Sequence, residues 1–153
     1  MSKLTLTSVV FENGGEIPPK YTCDGENISP PLAISGIPGS AISLALVMDD
    51  PDAVQVSGKV WDHWIVWNIP SGTTEIPEGK EPEGVKGIGT NGNEGYHGPC
   101  PPDRPHVYRF KIYALDIKLE LKAGATKREL EEAMQEHILE ETELRASYSR
   151  HQK

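Results

Sequence analysis

Hydrophobic and polar positions alternate in short stretches along this chain, and most of those stretches have the period of strands. The densest region is residues 44–70, LALVMDDPDAVQVSGKVWDHWIVWNIP, where two runs rich in Val, Ile, Leu and Trp flank a break holding Asp49, Asp50, Pro51 and Asp52. An unbroken apolar run such as residues 42–48, ended by a turn signal, predicts a buried strand. Residues 61–69 predict a second, closed by Pro70, whose missing N–H cannot extend a ladder. Residues 106–115 (HVYRFKIYAL) alternate, with Val107, Arg109 and Lys111 on one face and Tyr108, Phe110 and Ile112 on the other. Residues 4–11 predict a first strand before the Gly-rich turn at 12–15. Thr126 with Glu129 forms a capping box, and Leu130, Ala133, Met134 and His137 or Ile138 supply the buried stripe of a helix ending near Ile138. Thr142, Leu144, Ala146 and Tyr148 then alternate with polar neighbours and predict a last strand.

Two segments break this pattern. Residues 17–31 (IPPKYTCDGENISPP) are polar and proline-broken, with Tyr21, Ile28 and Leu32 as anchors, and read as an ordered loop. Residues 71–102 form a long irregular section, a length that inside a compact domain is usually functional. Its glycines lack the spacing of a phosphate-cradling loop before a helix, so a nucleotide fingerprint is unsupported. No internal repeat is visible. The expectation is a single mainly β domain over residues 1–153 with one clear helix.

Composition narrows the function. The 153 residues suffice for one core. A net charge of -8 argues against a nucleic-acid footprint, although it leaves room for one local basic cavity. The first residues have no apolar stretch of signal-peptide length, and no run approaches a membrane span, so a soluble, cytoplasmic protein is expected. Cys23 and Cys100 are too few for a disulfide framework; they could pair if the fold brings them together, but free thiols are expected in that compartment.

Candidate chemistry gathers at predicted strand ends: Asp50, Asp52, His63, His97, His106 and Tyr108, with the GPCPP turn containing Gly98 and Pro99. Each has a plainer reading. Asp50-Pro51-Asp52 suits a turn through side-chain acceptors and a fixed φ. His63 on an apolar strand suits a hydrogen-bonded core residue, and Tyr108 a core aromatic. His97 is most simply a surface loop residue. Together, two histidines and two carboxylates near the ends of separate strands suggest a shared pocket.

The segments YTCDGENISPPL, MDDPDA, WDHWIVWNIP and YHGPCPPDRPHVYRFKIYALD, with ELEEAM and ETELRASYSR toward the end, resemble the phosphatidylethanolamine-binding protein family in its bacterial and archaeal Raf-kinase-inhibitor-like branch. The resemblance covers essentially the whole chain. It implies a fold of two packed antiparallel sheets with a few helices. It also implies a small pocket for phosphate-like and carboxylate anions, including the phosphoethanolamine head group, lined by Asp50, Asp52, His63, Gly98, Pro99, His106 and Tyr108. A kinase or protease partner and a homodimer suit the family, and no cofactor is implied. Val54 replaces a common Pro, which would change one pocket wall, and Ile34 replaces a common Trp, which would change packing.

On physical grounds an anion would draw on imidazole N–H groups of His63 and His106, the Tyr108 hydroxyl and the backbone N–H at Gly98. The aspartates would orient the histidines or hold the imidazolium form, and anion affinity would rise as pH falls through the histidine range. Other readings stay open. The same groups could serve a metal-dependent or acid–base phosphoester hydrolase, although no HxxxH or HExxH spacing occurs and no catalytic motif is evident. Cys100 could be a nucleophile, without an evident activating base. An interaction domain with a vestigial pocket is the third.

Overall fold

In the computed structural model, which describes residues 3–150, strands β1 (Thr5–Thr7), β3 (Leu32–Ser35) and β6 (Glu75–Ile76) form a small antiparallel sheet. The large sheet runs, from edge to edge, through β2 (Gly15–Glu16), β9 (Ile138–Tyr148), β8 (His106–Leu115), β4 (Ser43–Asp50), β5 (Trp61–Pro70) and β7 (Val85–Lys86). Its pairs are antiparallel except β2 with β9. Among the described residues two α-helices complete the fold, α1 (Val54–Ser57) and α2 (Lys127–Met134).

The large sheet is covered on both faces. Leu44, Leu46, Met48, Val66, Phe110 and Ile112 pack with Leu6, Ile34 and Ile76 of the small sheet. Ala45, Val47, Ile65, Trp67 and Leu115 pack with Leu130 and Met134 of α2. A strand dry on both sides cannot alternate, which is why β4 reads as a continuous apolar run. The expected faces of β8 are as observed, with Tyr108, Phe110 and Ile112 inside. Ile34 sits in the core.

Several boundaries differ from the sequence expectation. The first strand is only Thr5–Thr7, and Val9 points into solvent. Helix α2 has the expected capping box but stops at Met134. Leu130 and Met134 already fill the stripe, and Glu136 at φ 69° turns the chain so that Ile138 pairs with Leu115 in β9. The connection after β4 folds into a 3-10 turn (Pro51–Ala53), capped by the Asp50 carboxylate, and then α1, which ends at Gly58 with φ 83°. The long section of residues 71–102 contains β6 and β7.

Cys23 and Cys100 form a disulfide, with Cα atoms 5.5 Å apart, so the expectation of free thiols is corrected. Their loops are stitched together locally. The Tyr96 hydroxyl donates to the Tyr21 carbonyl at 2.7 Å, the Cys23 N–H to the Pro99 carbonyl at 3.1 Å, and the Gly98 N–H to Asn27 Oδ1 at 2.8 Å. A Cβ on Gly98 would run into the Tyr21 carbonyl and the Asn27 side chain, so only glycine allows this approach. Free thiols were expected from a cytoplasmic location, and the bridge lends that location no support. No helix among the described residues is long and apolar enough to cross a membrane.

Candidate functional site

The ends of β4, β5 and β8 place the polar groups. Pairing of β4 with β5 slips by one residue: Met48 faces Trp64, but Asp49 faces Asp62. Such a bulge bends the strand and re-aims the side chains at it. Strict alternation from Trp64 would send His63 to the α2 side of the sheet. With the bulge, His63 and Trp61 line a cavity on the opposite side, together with Asp50 from β4 and His106 and Tyr108 from β8. His97, Gly98, Cys100, Pro101 and Pro102 also line it, and α1 contributes Val56 and Ser57. The cavity holds about 320 Å³.

Hydrogen bonds assign donors and acceptors within it. His63 Nδ1 lies 2.8 Å from the His97 carbonyl oxygen, which can only accept, so Nδ1 carries the proton. His63 is 4% exposed, and its Nε2 has no partner among the described residues. The Trp61 indole N–H donates to His97 Nε2 at 3.1 Å, which leaves His97 Nδ1 buried and unpartnered among the described residues. His106 stands between two carboxylates, with Nδ1 2.6 Å from Asp50 Oδ2 and Nε2 2.8 Å from Asp103 Oδ1. Tyr108 is buried, and its hydroxyl has no hydrogen-bond partner among the described residues.

Burial dominates the titration of this face. It lowers His63 to about 3, with further help from the His97 ring, and lowers His97 to about 4. Burial likewise raises the Asp50 carboxyl above its ordinary value, which the bond to His106 only partly offsets. The Tyr108 hydroxyl is pushed up by burial and by the neighbouring aspartates. Both rings of the His63–His97 pair are therefore neutral near pH 7.

Of the expected site residues, Asp50, His63, Gly98, His106 and Tyr108 line one cavity, and Asp52 and Pro99 do not. Asp52 Oδ2 instead accepts the Val107 N–H at 2.8 Å, and the Pro99 carbonyl holds Cys23. Three donor assignments change. The Gly98 N–H is committed to Asn27, His63 offers a lone pair rather than an N–H, and the outer nitrogen of His106 already holds Asp103. The expected gain in anion affinity near pH 6.5 therefore has no basis in His63. His97 is half-buried against His63, with ring centroids 4.5 Å apart, and is not a surface residue. Val54 is exposed and forms no cavity wall; Ala53 and Val56 do. Trp61 and Asp103 went unanticipated, because one needed the bulge and the other a loop conformation. Among the described residues no group of three or more His, Cys, Asp or Glu side chains is placed to hold a metal ion.

Comparison with known proteins bears on the fold and the family. The chain is 48% identical to a UPF0098 protein of Methanothermobacter thermautotrophicus over 153 residues, covering 96% of this chain and 99% of the relative. It superimposes on the crystal structure of a phosphatidylethanolamine-binding protein homologue from Chlamydia trachomatis with a TM-score of 0.94 at 43% identity, covering 98% of this chain and 99% of that one. Escherichia coli YbcL, described as a member of the mammalian family of this kind, matches with a TM-score of 0.88 at 30% identity, covering 97% of this chain and 99% of that one. The family model for phosphatidylethanolamine-binding protein matches residues 7–149, and the chain belongs to that family.

Proposed function

We propose that this protein is a binding module for a small anionic group, a phosphate or a carboxylate, seated among His63, His106 and Tyr108. The observation that carries the reading is Asp103. Its carboxylate already sits on the outer nitrogen of His106, the position an incoming anion would take. That side chain belongs to an exposed loop and can swing away, while the Asp50 bond keeps the imidazole oriented. The Tyr108 hydroxyl, free of other partners among the described residues, supplies a second donor. The cavity is a fair size for a head group or for a phosphorylated or acidic side chain presented by another protein, so a kinase or protease partner is compatible with the reading.

Isothermal titration calorimetry with inorganic phosphate tests it. Saturable binding is expected, and Tyr108→Phe should weaken it about fivefold, the worth of one hydrogen bond of about 1 kcal/mol. His106→Asn should abolish it, with thermal melts to verify that both variants remain folded. Undiminished binding in both variants would remove the cavity from the role.

A further inference from the structure

The fold fixes the character of the polar atom that His63 brings to the cavity. His63 Nδ1 spends its proton on the His97 carbonyl at 2.8 Å, so the free Nε2 is a lone pair. His97 cannot reverse this, because it is the main-chain carbonyl, not the ring, that receives the bond. The ring is wedged between His97 at 4.5 Å and Tyr108 at 5.4 Å, centroid to centroid, and is 4% exposed, so it has no room to flip. Asp50, a second acceptor, lines the same cavity with one oxygen held by the Asp52 N–H and the other by His106. An anion brought in by His106 and Tyr108 must therefore turn one of its atoms toward an acceptor. An oxygen without a proton would set lone pair against lone pair in a buried place, an unpaired contact that is costly.

We propose that His63 makes the site selective for tetrahedral anions that keep a hydroxyl, the P–OH donating to His63 Nε2, over anions of the same shape and charge that have none. The inference rests on the anion-binding reading above and specifies its ligand: phosphate or a singly protonated phosphoester in preference to sulfate. A phosphomonoester loses its last acidic proton at a pH of about 6, whereas inorganic phosphate retains one well above neutrality. Buried acceptors of this kind reject analogues that lack the matching hydroxyl by large factors in closed sites. This cavity is open at one side, which reduces the factor to roughly tenfold or more.

The test is calorimetric titration of the wild-type chain with inorganic phosphate and with sulfate at a pH of about 7.5, where both are mainly dianions. Phosphate is expected to bind at least about tenfold more tightly than sulfate. His63→Gln, whose amide can present N–H groups to the cavity, should bring the two affinities together. Imidazole nitrogen NMR on the wild type supplies a readout independent of that variant: Nε2 should keep its unprotonated shift and move on phosphate but not on sulfate addition. Equal affinities for the two anions in the wild type would overturn the selectivity and leave anion binding standing. Failure of both anions to bind would overturn the anion-binding reading and this inference with it. An unchanged preference in folded His63→Gln, or an Nε2 that proves protonated, would overturn the assignment to His63.

Discussion

Asp49 and Asp50 are neighbours on β4, and Asp62 and His63 are neighbours on β5, yet each pair divides between two unlike environments. On the α2 side, Asp49 is fully buried and accepts two bonds from Arg109, at 2.8 and 3.0 Å, and one from Lys127 at 2.9 Å, with Lys111 at 3.8 Å. Lys127 also meets Asp62 at 3.0 Å. Burial pushes the Asp49 carboxyl up, but these cations win and hold it below its ordinary value. On the cavity side, Asp50 has one imidazole and one backbone N–H, and burial wins. The first face is a closed ion network that locks three strand ends together. The second leaves polar groups unspent, and unspent polar groups in a cavity are what a ligand can use.

The largest expected effect comes from breaking the closed side. Asp49→Ala strands Arg109 and Lys127 without their main partner and should lower the unfolding free energy by about 3–5 kcal/mol, measured by urea denaturation. Asp50→Asn keeps an oxygen for the Asp52 N–H but puts an amide N–H where Oδ2 faced His106, so that bond survives only as a neutral one with His106 Nδ1 accepting, and about 1 kcal/mol is expected. Equal losses at the two positions would mean that the cavity face is also structural, and the contrast would fail.

The contrast also sets the pH dependence. His63 and His97 have folded values of about 3 and about 4, below the ordinary 6.5, so the unfolded chain binds more protons between those limits. Stability from both is therefore complete above the unfolded value and is lost as pH falls below it. The slope per group approaches about 1.4 kcal/mol per pH unit. Asp49, lowered, adds loss of the same sign in stronger acid; Asp50, raised, opposes it by keeping its proton in the folded state. Denaturant midpoints should fall from pH 7 down to about 4.5, with proton uptake on unfolding that steepens from under one toward about two near pH 5. His97→Gln, which can still accept the Trp61 indole N–H, should halve that slope. An unaltered slope in this variant would show that His97 is not held neutral.

Much of this was legible beforehand, and the gaps have physical causes. β4, β5, β8, the α2 capping box and the final strand follow from local periodicity and local side chain to backbone bonds, which the chain carries wherever it folds. The grouping of Asp50, His63, His106 and Tyr108 was reachable through strand ends and family resemblance. What escaped depended on register and on loop packing. The slip at His63 that selects its face leaves no mark in residue type. Nor could the text show that residues 77 apart would meet as Cys23 and Cys100, or that Asn27 would take the Gly98 N–H. Donor direction was hardest of all: whether His63 gives or receives depends on a carbonyl in another loop.

The smallest expected effect sharpens the comparison at its open end. Asp103 lies beside the cavity rather than in its lining, and its side chain is held by the bond to His106, by nearby backbone N–H groups and by a distant approach of Arg104 at 3.7 Å. An anion entering at His106 must displace it, so its bond is a cost on binding rather than a contribution. Asp103→Asn keeps the side-chain shape, removes the competing charge and should tighten inorganic phosphate about two- to fivefold, well under the worth of a full charge-assisted bond because the side chain is partly exposed and screened. Calorimetric titration at low and moderate salt would measure it, and the gain should shrink as salt rises. Weaker binding in Asp103→Asn would mean that Asp103 joins the ligand instead of yielding to it, and the cavity side would then be built, like the Asp49 side, around a carboxylate that stays in place.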